Sequence, residues 1–185
     1  YAGLLAVPVS LPTAIGGHEA YVAGLRRQIQ GCGAVAAVAN TELISFLKEA
    51  ATGLDLRMVG EPHEFFALSG AGANLRPFAR QDRCYLQYSS GSTRNPHGVD
   101  IPQEALMANC FAISNHGLRI QPNDRCVSWL PLYHDMGLVG FMLTPLACQM
   151  TVDYLTTRDF ARRPLMWLSL IDRNKGTLSY SLSFG

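Results

Sequence analysis

Apolar residues follow two rhythms along this chain, short unbroken runs and stretches with a helical repeat, and the two alternate. Residues 3–9 (GLLAVPV) are continuously apolar and read as a strand, or a helix end running into one; Leu11-Pro12-Thr13 and Gly16-Gly17 then mark a loop. Residues 18–30 predict a helix, because Tyr21, Val22, Leu25 and Ile29 recur near one face while Arg26, Arg27 and Gln28 oppose them. Gly31 and Gly33 end it. Residues 34–39 (AVAAVA) are short and apolar throughout, as a strand buried on both faces of a parallel sheet should be. Thr41 is placed to cap the next helix, whose Leu43, Ile44, Phe46 and Leu47 pack inward until Gly53 stops it. Residues 56–59 make a further strand. This succession predicts an α/β fold, a mostly parallel sheet with helices on both faces and right-handed crossovers.

The second half continues with more interruption. Residues 60–83 hold Pro62, Pro77 and three glycines and close on Arg80-Gln81-Asp82-Arg83, so they read as a connector with room for one short helix. Residues 84–88 (CYLQY) have strand character. Residues 103–116 are helical in pattern, with Pro102 suited to the first turn and Gly117 to the end. Residues 126–130 form a strand leading into Pro131. Residues 137–150 are hydrophobic almost all round, which predicts a buried helix. A strand at 151–155, an amphipathic helix at 164–172 around Trp167 and a last strand at 178–181 complete the chain. There is no internal repeat, low-complexity tract or heptad run, and the length suits a single α/β unit over residues 1–185.

Candidate chemistry gathers in residues 89–98, SSGSTRNPHG, directly after the CYLQY strand. A loop of small hydroxyl residues and glycines lets backbone N–H groups approach a polyanion, and Ser89, Ser90, Ser92 and Thr93 add hydroxyl donors. Gly91 and Gly98 are expected to supply backbone freedom for a tight path. A plain solvated turn is the competing reading. The loop is not the GxxxxGK[ST] phosphate loop of kinases and NTPases, since the lysine of that motif is missing.

The loop resembles that of the adenylate-forming enzymes (acyl-CoA synthetases, fatty-acyl-AMP ligases, peptide-synthetase adenylation domains), usually [ST]SG[ST]TGxPKG. Ser89, Ser90, Gly91, Ser92, Thr93, Pro96 and Gly98 match, while Arg94 stands in place of a glycine and His97 in place of a lysine. A second block downstream, WLPLYHDMGL at residues 129–138, looks like the fatty-acyl-AMP ligase branch. The resemblance covers nearly the whole chain. It implies that Ser89, Ser90, Gly91, Ser92, Thr93, Arg94 and Gly98 hold the phosphates of ATP. A triphosphate needs a divalent ion, so Mg²⁺ is implied with it. It also implies that His134 lines the place where a fatty acid carboxylate attacks the α-phosphorus, with Tyr133 and Met136 nearby. An acyl carrier protein or CoA would accept the acyl group. Read alone, His134-Asp135 could suggest a hydrolase or metal pair, but sequence neighbours on a strand or turn point to different sides, which argues against a dyad. Gly137 and Gly140 would let the following helix pack closely. Arg94, His97 and Leu182 (where a turn proline is usual) favour a competing reading, a non-catalytic nucleotide- or acyl-binding module of the same fold.

Composition narrows little else. A formal net charge of +1 gives no reason to expect nucleic acid as a partner, and the one basic cluster, Arg158, Arg162 and Arg163, reads as a solvated helix face. Five scattered cysteines show no CxxC and no metal-ligand spacing, so no metal site is expected and the thiols read as mostly buried and free, in a reducing, cytoplasmic setting. No apolar run approaches the ~18 residues of a membrane span. Both ends, YAGLLAVPV and SYSLSFG, are apolar and strand-like, so the chain is expected to be an internal piece of a larger AMP-binding domain, inactive by itself.

Overall fold

The computed structural model describes residues 3–12, 17–69, 72, 76–89 and 97–181. The elements run α1 (Gly17–Gly31), β1 (Ala36–Val38), α2 (Ile44–Ala51), β2 (Met58–Gly60), α3 (Pro62–Phe66), β3 (Arg83–Tyr88), β4 (Gly98–Pro102) and α4 (Gln103–Phe111). Then follow β5 (Arg125–Ser128), α5 (Asp135–Leu138), α6 (Thr144–Ala147), β6 (Thr151–Tyr154), α7 (Thr157–Arg162) and α8 (Leu165–Asn174). β1 pairs β2 and β5 pairs β6 in parallel, each pair joined through helix, whereas β3 and β4 form an antiparallel hairpin. Parallel bridges at Ala6–Tyr85 and Cys126–Leu178 attach two further extended segments to β3 and β5. The chain is therefore α/β with mainly parallel pairing.

Three apolar clusters hold these layers. Leu25 and Ile29 of α1 meet Leu47 and Ala50 of α2 beneath β1 and β2, as their helical spacing predicts. Tyr85 of β3 packs with Leu106 and Cys110 of α4 and with Val139. Cys126, Trp129, Leu130 and Phe141 form the third cluster, in which Trp129 stacks on Phe160 at 3.8 Å and Trp167 meets it edge-on. Both tryptophans are thus core anchors. Across the β5–β6 pair, Arg125 donates from Nε and Nη2 to Asp153 at 2.5 and 2.9 Å, which holds the Asp153 carboxyl below its ordinary range.

Several expectations need correcting. Thr41 caps no helix: α2 starts at Ile44, its N-cap position Leu43 has no side-chain cap, and the Thr41 hydroxyl donates instead to Glu61 Oε2 at 2.7 Å. Residues 98–102 are a strand, which an exposed face and a proline conceal in the sequence. The single helix expected at 137–150 starts at Asp135, widens into a π-helical turn at Val139–Leu143 and ends by Ala147. At 178–181 only Leu178 bridges a strand. α7 begins at a cap visible in hindsight, the Thr156 hydroxyl accepting the Asp159 N–H at 3.0 Å. All five thiols are free, but only Cys110 and Cys126 are fully buried and Cys148 is exposed.

Candidate active site

β3 carries the chain to the first motif block, and its last residues are tied in different directions. The Gln87 amide Nε2 donates to the backbone carbonyl of Tyr133 at 2.9 Å. The Tyr88 hydroxyl donates to the Gln28 carbonyl at the end of α1, 3.1 Å away. The Ser89 N–H donates to the His97 carbonyl at 2.9 Å, closing the hairpin one pair beyond Tyr88 and Gly98. Ser90, Gly91, Ser92, Thr93 and Arg94 lie outside the described residues, as does Leu182. Gly98 does not serve as expected. Its φ is not in the left-handed region; what glycine provides is room, since a Cβ there would lie 3.0 Å from Leu86 Cδ2.

The second block leaves β5 and turns at Pro131. His134 is extended (φ −102°, ψ 143°) at the N-cap of α5, its N–H donating to the Pro131 carbonyl at 3.2 Å and its carbonyl accepting from Leu138 at 2.8 Å. The turn needs Gly137, whose absent Cβ would strike the Pro131 carbonyl oxygen and lie 2.8 Å from its carbon. Gly140 likewise admits Tyr180, whose Cζ would be 3.0 Å from a Cβ. Close packing is thus found at both glycines, against main chain at Gly137 and against the Tyr180 ring at Gly140.

His134 and Asp135 do not point apart. His134 Nδ1 lies 2.5 Å from Asp135 Oδ1, which also accepts the Met136 N–H at 2.7 Å. Alternation of side chains holds within a strand, but here the backbone passes from extended to helical between the two residues, which brings both side chains to one side. With Nδ1–H donated to Asp135, Nε2 remains available to a ligand. Both side chains are substantially exposed, at 40% and 69%.

Two cavities meet at this turn. A cleft of about 240 Å³ opens between Ser10, Gln28, Gln87, Ser89, Tyr133 and His134. A second pocket of about 460 Å³ is walled by Ile113, Leu118, Met136, Val139, Gly140 and Tyr180 and is mainly apolar. Asp135 borders both. Burial, reinforced by Cys126, pushes the Tyr180 phenol up to about 12, so the pocket carries no anion there near neutrality. Burial also raises Tyr88, which therefore remains a hydrogen-bond donor. Among the described residues no group of three or more His, Cys, Asp or Glu side chains could hold a metal ion. Nor is any helix among them long and apolar enough to cross a membrane.

The structure thus brings Ser89 and His134 to one cleft from positions far apart in sequence. Gln28 and Gln87 in that cleft, and Tyr180 in the neighbouring pocket, were not anticipated. Only Gln87 carried a local signal, as an amide inside an otherwise apolar strand end.

The model of the AMP-binding enzyme family matches residues 6–183. A Caulobacter vibrioides protein provisionally named an acyl-CoA synthetase is 48% identical over all of this chain, which spans 32% of that relative. The long-chain-fatty-acid–AMP ligase FadD26 of Mycobacterium tuberculosis is 32% identical over 92% of the chain and 30% of its own length. The chain therefore spans about a third of the curated relatives it matches. Among solved structures, one from work on fatty acyl-adenylate ligases of E. coli and L. pneumophila superposes with a TM-score of 0.93 at 46% identity, covering all of this chain and 33% of the other. The L. pneumophila fatty acyl-adenylate ligase in complex with acyl adenylate and pyrophosphate gives 0.82 at 26% identity, over 98% of this chain and 31% of that one.

Proposed function

This chain belongs to the AMP-binding enzyme family, and from that premise we propose that the protein carrying it joins a fatty acid to ATP, forming acyl-adenylate and releasing pyrophosphate. The observation that carries the reading is the position of Asp135 and its neighbour His134, where a cleft edged by the polar groups of Ser10, Gln28, Gln87 and Ser89 meets a more apolar pocket. A fatty acid has that division: a carboxylate at one end and a chain that gains by leaving water at the other. With the chain in the pocket, the carboxylate comes to the His134 turn, where Nε2 of His134 can donate to it or to a phosphate oxygen when protonated.

The reaction asks for positioning and charge stabilisation. A carboxylate oxygen attacks the α-phosphorus, the bond to the β-phosphate oxygen breaks, and the electron pair leaves with pyrophosphate. The cleft, at about 240 Å³, is smaller than pockets that enclose whole ligands and suits the triphosphate end of the nucleotide. Ser89, Ser90, Gly91, Ser92, Thr93, Arg94 and Gly98 are assigned to the phosphates and His134 to the reacting centre. Mg²⁺ is assigned together with ATP, since that ion binds through substrate phosphates with one or two carboxylates. Bound there, the ion would neutralise phosphate charge, with Asp135 the carboxylate among the described residues that line the cleft. The acyl group then passes to an acyl carrier protein or to CoA. This α/β unit, about a third of such a ligase, makes no acyl-adenylate by itself.

The test is ATP–pyrophosphate exchange by the full-length protein with MgATP and fatty acids of graded length, the acyl-adenylate being trapped with hydroxylamine. Exchange that falls on substituting Ser92→Ala or Thr93→Ala supports the assignment. Nucleotide binding without exchange at any chain length would instead mark a non-catalytic module of the same fold.

A further inference from the structure

Gln87 is an unusual residue for its place. It stands near the end of β3 beside Leu86 and Tyr88, and its Oε1 is a buried acceptor with no hydrogen-bond partner among the described residues. A buried orphan acceptor destabilises the fold that contains it, so an apolar side chain of similar size would serve stability better. What Gln87 does supply is one directed bond, from Nε2 to the Tyr133 carbonyl 46 residues away. That carbonyl belongs to the peptide whose N–H is His134's own. The Tyr133–His134 peptide is therefore clamped on both sides, by Gln87 at 2.9 Å on the carbonyl and by the Pro131 carbonyl at 3.2 Å on the N–H.

The two clamps differ in origin. Pro131 belongs to the same turn and moves with it. Gln87 belongs to the strand that ends one residue later, at Tyr88, just before Ser89. It is the bond that relates the His134 turn to the strand feeding the phosphate loop, and both residues line the one cleft. The ring of His134 is fixed further by Asp135, so a rotation of this peptide would carry the imidazole with it.

We propose that Gln87 is a positioning residue, which sets where the His134 imidazole stands relative to Ser89 by holding the peptide in front of it. The proposal rests on the ligase reading for its effect on rate, but not for its effect on the geometry of His134. Small misplacements of a reacting group are costly to rate, while leaving ground-state binding largely intact.

The experiment uses the full-length protein with Gln87→Leu, which removes the donor, and Gln87→Glu, which keeps the length but presents a carboxylate. Each is also combined with His134→Ala. Both single variants should lower kcat for pyrophosphate exchange by about tenfold, with KM for ATP changed less than about twofold and the melting temperature of Gln87→Leu not lowered. In the His134→Ala background the same substitutions should change the rate by less than about twofold, since there is no imidazole left to misplace. A full tenfold loss in both backgrounds, or a rise in KM alone, overturns the proposal. In parallel, the ¹⁵N imidazole signals of His134, identified by their loss in His134→Ala, should shift in Gln87→Leu and in Gln87→Glu. If the unmodified protein shows no exchange, the ligase reading fails, and the imidazole signals decide the positioning separately: unmoved signals overturn it.

Discussion

β3 and β5 each run into a segment that borders the cleft, but they are held by different means. β5 is paired in parallel and sealed, with Cys126 and Val127 fully buried and Ser128 at 1% exposure, and the residue after it, Trp129, is stacked on Phe160. β3 lies in an antiparallel hairpin in which, among the described residues, Tyr85 is the one buried side chain. Its end is placed by separate hydrogen bonds, from Gln87 to Tyr133, Tyr88 to Gln28 and Ser89 to His97. One side of the site is thus located by volume, the other by directed bonds. Filling volume is cooperative and resists change, so disturbance on the β5 side should appear as lost stability. Directed bonds contribute little net stability but fix geometry, so disturbance on the β3 side should appear in the site first.

The sharpest way to break this contrast is Phe141→Ala. Phe141 has no exposure and stacks on Tyr180 at 4.1 Å, so truncation should remove about 3–5 kcal/mol of stability, read by urea denaturation. A loss under about 1 kcal/mol would show that the β5 side is not held by packing. Gly137→Ala follows at about 3 kcal/mol, because its Cβ meets main chain at Pro131 that cannot step aside.

A third effect depends on pH. Burial raises the Cys126 thiol from 9.0 to about 11. The folded state therefore favours the protonated thiol: its contribution is complete below pH 9 and is lost as pH rises through 11, up to roughly 3 kcal/mol in all. Cys126→Ala should flatten that part of the stability–pH curve, leaving the part due to Tyr180, which begins near pH 10. An unchanged curve would mean that the β5 side admits water. The smallest effects belong to the hairpin. Tyr88→Phe should cost about 1 kcal/mol, the net worth of its bond to Gln28. Gly98→Ala should cost about the same, since the flexible Leu86 side chain can yield. If either cost matched Phe141→Ala, the two sides would not differ as described.

Much of this fold was legible because it is local. The period of Tyr21, Val22, Leu25 and Ile29 specifies α1, apolar residues followed by Pro131 specify β5, and the unbroken run around Ala36 places β1, though not its expected burial on both faces, since Val35 and Val38 remain exposed. The residue types of the candidate site were legible for the same reason: hydroxyls and glycines after a strand, and a histidine after Pro131, lie within single segments. What tertiary structure decided is everything that depends on a second segment. Thr41 looked like a cap until Glu61, twenty residues on, took its hydroxyl. Gly98 looked like a source of backbone freedom until Leu86 came across the hairpin. His134 and Asp135 looked divergent until the chain changed from strand to helix between them. Gln87 stood out only as an amide in an apolar strand end, and its role was open until Tyr133 arrived at that amide. Side-chain spacing records which face of an element leaves water, but a hydrogen bond or a close contact between distant segments is settled only by the packing that brings them within about 3 Å.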